Sequence, residues 1–519
     1  MLLRTAVIVC AGAVLLGVSV GASAGVRPPE NRKDDPAAEK ESGPGNGVPA
    51  SPAVIATRGD LGRAYLELER AVAQRGDAAG DLLRGVNQRF DEATGEFFRG
   101  DFGGAVAILH EQTRRLIGPE KPSAAWLVGR SLRCEVEPPV LIAGTLDEVK
   151  VTLKRMYPTK AGEKPGVARV SLEDRGGFRR DAEVVLPGSD EQFEKVLSFR
   201  ATHLNPGRAR VTIRIDERVY DLGWLDVVQT SLDSQREENA KKLDAVPPVA
   251  GLAHAMQACR ARNDLLTDVP TESDSTRMVI DVCELAKQVK KEIGELSRGK
   301  DPYRNVSGDR WTVFDAGGAV TPMRIFGTVL TLPPGVKSYG RPLVIAVHGL
   351  GGDENLFMEG YGAGLIEKLA AARGFVVASP RVSMLSSSPG VFDAIVEAAA
   401  SEFDIDRSRV YLIGHSMGGG IVCAWAKLRP DKIAGVCSVA GVGTFAGTGK
   451  LPRTLVFGAE LDPLIHSEVI AADAEAAKSQ GLNVEFRLLK DQGHALAMGR
   501  ALPQAVEWML NGGMPSQQK

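Results

Sequence analysis

Residues 413–420 read I-G-H-S-M-G-G-G, and Ser416 lies in a G-x-S-x-G pattern with Gly414 and Gly418 as its other fixed points. Small residues on either side of a serine let a strand and a helix turn sharply into one another and lift the hydroxyl outward. A serine hydroxyl is a poor nucleophile until a base within about 3 Å takes its proton and a third group holds that base. The chain has 7 histidines from which to draw the base. His494, in K-D-Q-G-H-A, follows an apolar run at 484–489, in a loop that suits an imidazole reaching across strand ends. Asp462, in F-G-A-E-L-D-P-L-I, follows the apolar run 453–458 and is placed to accept the Nδ1 proton, fix the tautomer and stabilise an imidazolium. Glu460 is the rival for that acid role, but it stands closer to its strand. The chemistry of such a set is acyl transfer to water through an acyl-serine, which requires no metal or organic cofactor.

Each residue also has a plain structural reading. Ser416 would serve as a tight-turn serine, Asp462 as a turn former before Pro463, and His494 as a loop histidine. Their order, Ser then Asp then His, each after a successive strand, favours the chemical reading. An oxyanion needs donors as well. The Met417 N–H follows the nucleophile directly, and H-G-L-G-G at 348–352 offers a bent, close-lying main chain. Leu350 N–H is the preferred second donor, with Gly351 N–H behind it. His348 is expected to order this loop, and His415 to pack or hydrogen-bond beneath the serine turn.

The elements that must position these residues begin near 308. Apolar strands are expected at 342–349, 374–380, 409–414, 433–440, 453–458 and 484–489, with helices at 361–372, after Met417 and near 498–510. Continuous apolar strands alternating with helices imply a mainly parallel sheet covered on both faces. Ligands then bind beyond the carboxyl ends of the strands, where Ser416, Asp462 and His494 all fall.

Upstream the pattern changes. Arg4, the apolar run Ala6–Val20 and A-S-A at 22–24 read as a signal peptide over 1–24, cut after Ala24. Residues 25–57, rich in Pro, Gly and charge, read as a flexible linker. Residues 58–130 are expected to be a helical segment, in which Leu61, Tyr65, Leu68 and Val72 recur at helical spacing, and 97–110 resembles the turn of one helical hairpin. Short alternating runs over 131–228 suggest a small antiparallel β-sandwich-like domain, and 229–300 a second helical segment. The catalytic domain occupies 301–519.

The stretch from about 308 to 515 resembles secreted α/β-hydrolases of the polyhydroxybutyrate-depolymerase, feruloyl-esterase and dienelactone-hydrolase-like group. The pieces that carry the likeness are V-H-G-L-G-G-D-E-N, D-I-D-R-S-R-V-Y-L-I-G-H-S-M-G-G, F-G-A-E-L-D-P-L and Q-G-H. The resemblance implies an α/β-hydrolase domain in which Ser416 is nucleophile, His494 base and Asp462 orienting acid, with the Leu350 and Met417 amides facing the oxyanion. Related proteins include esterases, depolymerases and peptidases; a carboxylesterase is the expected function, with acyl or feruloyl esters of polysaccharide, or a polyester, as expected substrates. The alternatives are a serine peptidase of prolyl-peptidase-like type and a non-catalytic cell-envelope scaffold. No multi-bladed propeller repeat, which such peptidases carry, is found upstream.

Composition excludes other classes. Lys plus Arg number 63 against 65 Asp plus Glu, and no basic stripe interleaved with aromatics is present, so nucleic acid is not an expected partner. After signal cleavage no stable membrane span is expected, and the chain would be secreted or periplasmic. Five cysteines would remain: Cys134, Cys259, Cys283, Cys423 and Cys437. Cys259 and Cys283, in neighbouring helical segments, are candidates for a bridge; Cys423 and Cys437, in apolar runs, read as buried thiols. No C-x-x-C or H-E-x-x-H spacing suggests a metal.

Overall fold

Thr57 opens the first helix with a reciprocal cap. Its Oγ1 accepts from the Asp60 N–H at 3.2 Å, and the Asp60 carboxylate accepts from the Thr57 N–H at 2.9 Å. The computed structural model describes residues 56–159, 166–188, 193–269, 275–328, 340–441, 443, 445 and 449–511. The segments expected to be a signal peptide and, but for residues 56–57, a linker lie outside the described residues, as does Cys10. Helices α1 (Arg58–Arg75), α2 (Gly80–Arg99) and α3 (Phe102–Ile117) pack around Ala64, Leu68, Val86, Phe90, Val106 and Leu109. Gly100, with φ of +81°, breaks the chain between α2 and α3, and Asp101 caps α3 through the Gly104 N–H. The same core takes in Leu496, from the far end of the sequence.

After α4 (Ala124–Arg130) come eight strands: β1 (Leu132–Glu137), β2 (Val140–Ile142), β3 (Glu148–Arg155), β4 (Val167–Glu173), β5 (Arg179–Val185), β6 (Glu194–Arg200), β7 (Gly207–Ile215) and β8 (Arg218–Val228). They form a three-stranded sheet, β1-β3-β6, and a five-stranded sheet, β2-β8-β7-β4-β5, which share one core. Val149, Val151 and Leu153 meet Val170, Leu172, Val211 and Ile213 across it. The pairing is antiparallel except where β2 runs parallel to β8, a departure from the all-antiparallel expectation. Pro138 and Pro139, which join β1 to β2, have no backbone N–H to extend a ladder, and β2 pairs with β8 of the other sheet.

Helices α5 (Leu232–Asp244), α6 (Ala253–Asp264) and α7 (Val282–Leu296) follow. The bridge considered between Cys259 and Cys283 is not made: both are free thiols. The Cys283 Sγ donates toward the Val227 carbonyl at 3.5 Å, whereas Cys259 hydrogen-bonds Tyr303. The two sulfurs therefore serve different partners, and burial pushes both thiols up to about 12. Cys423 and Cys437 are also free and buried.

The last sheet has eight strands in the order β16-β15-β14-β13-β11-β12-β10-β9. A hairpin of β9 (Gly308–Ala316) and β10 (Ala319–Gly327) forms one antiparallel edge, which the strand–helix pattern had not assigned. The remaining strands are parallel: β11 (Arg341–Val347), β12 (Val376–Pro380), β13 (Ile405–His415), β14 (Gly435–Val439), β15 (Thr454–Ala459) and β16 (Val484–Leu489). They alternate with α8 (Leu365–Arg373), α9 (Pro389–Glu402), α10 (Met417–Leu428), α11 (Ser467–Ser479) and α12 (Ala497–Leu510).

Both faces of the sheet are dry. Leu343, Ile345 and Leu412 pack with Phe392 and Trp425 on one side, and Val344, Ile413 and Phe457 pack with Ile366 and Trp508 on the other. Alternate residues of each strand thus enter opposite cores, which is why the strands read as unbroken apolar runs. Residues 308–510 have the α/β-hydrolase fold. Among the described residues no helix is long and apolar enough to cross a membrane.

Candidate active site

The loops after β11, β13, β15 and β16 leave the same edge of the sheet, because these strands run parallel. Ser416 begins the turn from β13 into α10 with φ +53° and ψ −117°, a conformation rarely held by a side chain with a Cβ and costing roughly 1–3 kcal/mol. The surroundings enforce it. A Cβ on Gly414 would stand 2.3 Å from the Gly418 carbonyl oxygen, and one on Gly418 would stand 2.1 Å from that of Val347. The Ser416 N–H is tied to the Val439 carbonyl at 3.0 Å. Both outer glycines of the pattern are therefore explained by backbone-to-backbone approach.

Ser416 Oγ lies 3.0 Å from His494 Nε2, and His494 Nδ1 lies 2.7 Å from Asp462 Oδ2. The other Asp462 oxygen accepts from the Leu464 and Ile465 N–H groups at 2.8 and 2.9 Å. With both oxygens engaged, the buried carboxylate has one orientation, and the imidazole donates to it from Nδ1. Nε2 is then free to accept the serine proton. Glu460 is turned elsewhere: its Oε2 accepts from the Asp491 N–H at 2.8 Å.

Met417 supplies the first amide of α10, where helical N–H groups lack intrahelical partners and favour negative charge. Gly349 passes beside Ser416, since a Cβ there would be 3.4 Å from Ser416 Cβ, and Leu350 follows it. Gly351, with φ of +83°, is directed toward the amino-terminal helices. Its carbonyl accepts from Arg58 Nη2 at 2.8 Å, and the Phe97 ring lies 3.5 Å from the site of an added Cβ. His348 spans the loop, with Nδ1 on the Gly349 carbonyl at 2.8 Å and Nε2 accepting from the Val382 N–H at 3.1 Å. Burial holds its pKa below the usual range.

His415 joins the three loops. Its Nε2–H donates to the His494 carbonyl at 2.9 Å, and its Nδ1 accepts from the Tyr361 hydroxyl at 2.8 Å. The same hydroxyl accepts from the Gly349 N–H at 3.4 Å. This arrangement requires a neutral ring, and burial lowers its pKa to about 3.

Sequence reasoning missed what the amino-terminal helices contribute. Asn87 Oδ1 accepts from the Gly493 N–H at 2.8 Å, and Asp91 Oδ1 accepts from the His494 N–H at 3.1 Å. Asn87 and Asp91 are four residues apart and share one face of α2, but nothing in their spacing points to residues four hundred positions on. Glu69, buried on α1, accepts from the Tyr65 hydroxyl at 2.8 Å and the Gly362 N–H at 3.1 Å. Burial raises its carboxyl to about 8.

Residues 342–503 match the family model for the alpha/beta hydrolase fold. NocK of Nocardia uniformis subsp. tsuyamanensis, named as an esterase, is 33% identical over 146 residues, 24% of this chain. The chain spans 41% of the length of that relative. The S-formylglutathione hydrolase FrmB of Staphylococcus aureus aligns at 17% identity, over 39% of this chain and 99% of that one, with a TM-score of 0.33. An acetyl xylan esterase of Aspergillus awamori aligns at 13% identity, over 39% and 99% of the two chains, with a TM-score of 0.32.

Proposed function

We propose that the protein is a serine hydrolase of carboxylic esters. The observation that carries the reading is the unbroken line from Ser416 Oγ through the His494 ring to Asp462, at 3.0 and 2.7 Å, starting from a serine held at positive φ. Ser416 Oγ attacks the ester carbonyl carbon as His494 Nε2 takes its proton. The negative charge moves to the carbonyl oxygen, where the Met417 and Leu350 amides would receive it. Collapse breaks the carbon–oxygen bond, and His494 returns the proton to the departing alcohol. A water then gives a proton to His494 and attacks the acyl-serine; the acid leaves, and Ser416 recovers its hydroxyl proton. Asp462 holds the ring's tautomer throughout and stabilises the imidazolium.

The short sequence between Val439 and Thr454 has no room for a large cap, and an open site of that kind suits an acyl or feruloyl ester on polysaccharide, or a polyester. The composition of residues 1–24 supports export, to be read as a mature amino terminus at Gly25.

Short-chain nitrophenyl esters, feruloyl esters and polyester films, run beside peptide amides, test the class. Turnover of an ester, reduced at least about 10⁴-fold by Ser416→Ala, is expected. Faster turnover of the amides would move the protein to the peptidase class.

A further inference from the structure

We propose that α2 completes this site: Asp91, together with Asn87, is a positioning residue that fixes the main chain of residues 493–495 and so holds His494 between Ser416 and Asp462. The proposal rests on the hydrolase reading above.

The loop between β16 and α12 presents two consecutive amides whose acceptors come from α2. The Gly493 N–H donates to Asn87 Oδ1 at 2.8 Å and the His494 N–H to Asp91 Oδ1 at 3.1 Å, with the Ala495 N–H turned toward the same carboxylate. Gln492, Gly493 and His494 are buried, so water is not at hand to replace those acceptors. The carbonyl of His494 is taken by His415 at 2.9 Å. The catalytic imidazole is thus mounted on a peptide held from one side by the serine turn and from the other by α2.

A second, independent observation is steric. A Cβ on Gly493 would lie 2.3 Å from Asp91 Oδ2 and 3.0 Å from its Cγ. Gly493 is absent from the glycines of positive φ, so its backbone conformation does not demand glycine. The closeness of Asp91 does. That outer oxygen is buried without a hydrogen-bond partner among the described residues, a condition folds retain where another requirement overrides it. Arg84, one helical turn before Asn87, extends the contact to Asp491 at 2.5 Å. Residues 84, 87 and 91 lie along one face of α2, against residues 491, 493 and 494–495 in the same order. Leu496 closes the apolar side of the contact within the α1–α3 core.

The carboxylate also faces the imidazole electrostatically. Burial raises the Asp91 pKa to about 7, opposed first by the attraction of His494. An anion there favours the imidazolium that forms when Ser416 gives up its proton.

The test uses the full chain and nitrophenyl butyrate, with kcat expressed per site labelled to completion by a fluorophosphonate, and Tm recorded in parallel. Asp91→Ala is expected to lower kcat per labelled site about 10- to 100-fold with KM within about twofold. Asp91→Asn, which keeps an acceptor oxygen for the amides, is expected to recover most of the loss. Asn87→Ala should lower kcat about 3- to 10-fold at unchanged KM, and it becomes the deciding variant if Asp91→Ala does not fold. A kcat per site within about twofold of the parent in Asp91→Ala, or in Asn87→Ala if the former is unfolded, overturns the proposal and leaves the contact a structural staple. Parent turnover abolished by Ser416→Ala, but indifferent to α2, would overturn this inference alone. A parent chain with no ester turnover would overturn both.

Discussion

Ser416 and His494 reach the same point in space by opposite means. The serine is set by its own neighbours: two glycines within two residues of it allow main chain to lie against main chain, and β13 and α10 do the rest. The histidine sits in a loop whose amides find their acceptors on α2, at the other end of the sequence. On the proposed hydrolase reading, the difference teaches that a nucleophile can be specified within a few residues, whereas the orientation of its base is a property of the whole chain. The two halves of the proposed proton transfer are then exposed to different kinds of damage.

The largest break in that comparison should come from the local half. Gly418→Ala places a methyl against the carbonyl oxygens of Val347 and His348, at 2.1 and 2.6 Å, and neither main-chain atom can swing away. We expect a loss of about 3 kcal/mol or more in stability, and about a thousandfold in kcat, read by calorimetry and ester turnover. The non-local half should break more gently and reversibly. Gly493→Ala collides first with the Asp91 carboxylate, so its expected loss of about 30-fold in kcat should shrink to under about threefold when introduced into Asp91→Ala. Additive losses would mean that the two residues do not press on one another.

The smallest effect concerns Glu69, which joins α1 to the turn at Gly362. Its carboxyl is raised by burial from 4.5 to about 8 in the fold, so the folded state favours the neutral acid. The stability it contributes is full below about pH 4.5 and is lost as pH rises through 8. Glu69→Gln mimics the neutral form. It should match the parent at pH 4 and exceed it by about 1–3 kcal/mol at pH 9, measured as Tm across that range. An advantage at acidic pH would reverse the sign of the assignment.

How much of this was legible follows from the same contrast. The parallel strands were readable because both of their faces are buried, which leaves long apolar runs. The convergence of Ser416, Asp462 and His494 was readable because each follows such a run at the same edge. The hairpin of β9 and β10 was not, since β10, with Val320 exposed and Pro322 within it, carries a weaker pattern. Asn87 and Asp91 were illegible for a different reason. A polar pair on an amphipathic helix reads as solvated face, and it is tertiary packing, with Leu496 in the α1–α3 core, that brings it against the loop of His494. The cysteine pair failed because helix proximity says nothing of where each sulfur points; Val227 and Tyr303 decide that.

The central claim is that Ser416 is a nucleophile activated by His494. Mass-spectrometric mapping of the fluorophosphonate adduct tests it directly. The account predicts a single adduct on Ser416 in the parent chain, formed at least about a hundredfold more slowly in His494→Ala. A folded parent chain that stays unlabelled, or one labelled on another residue, would contradict it.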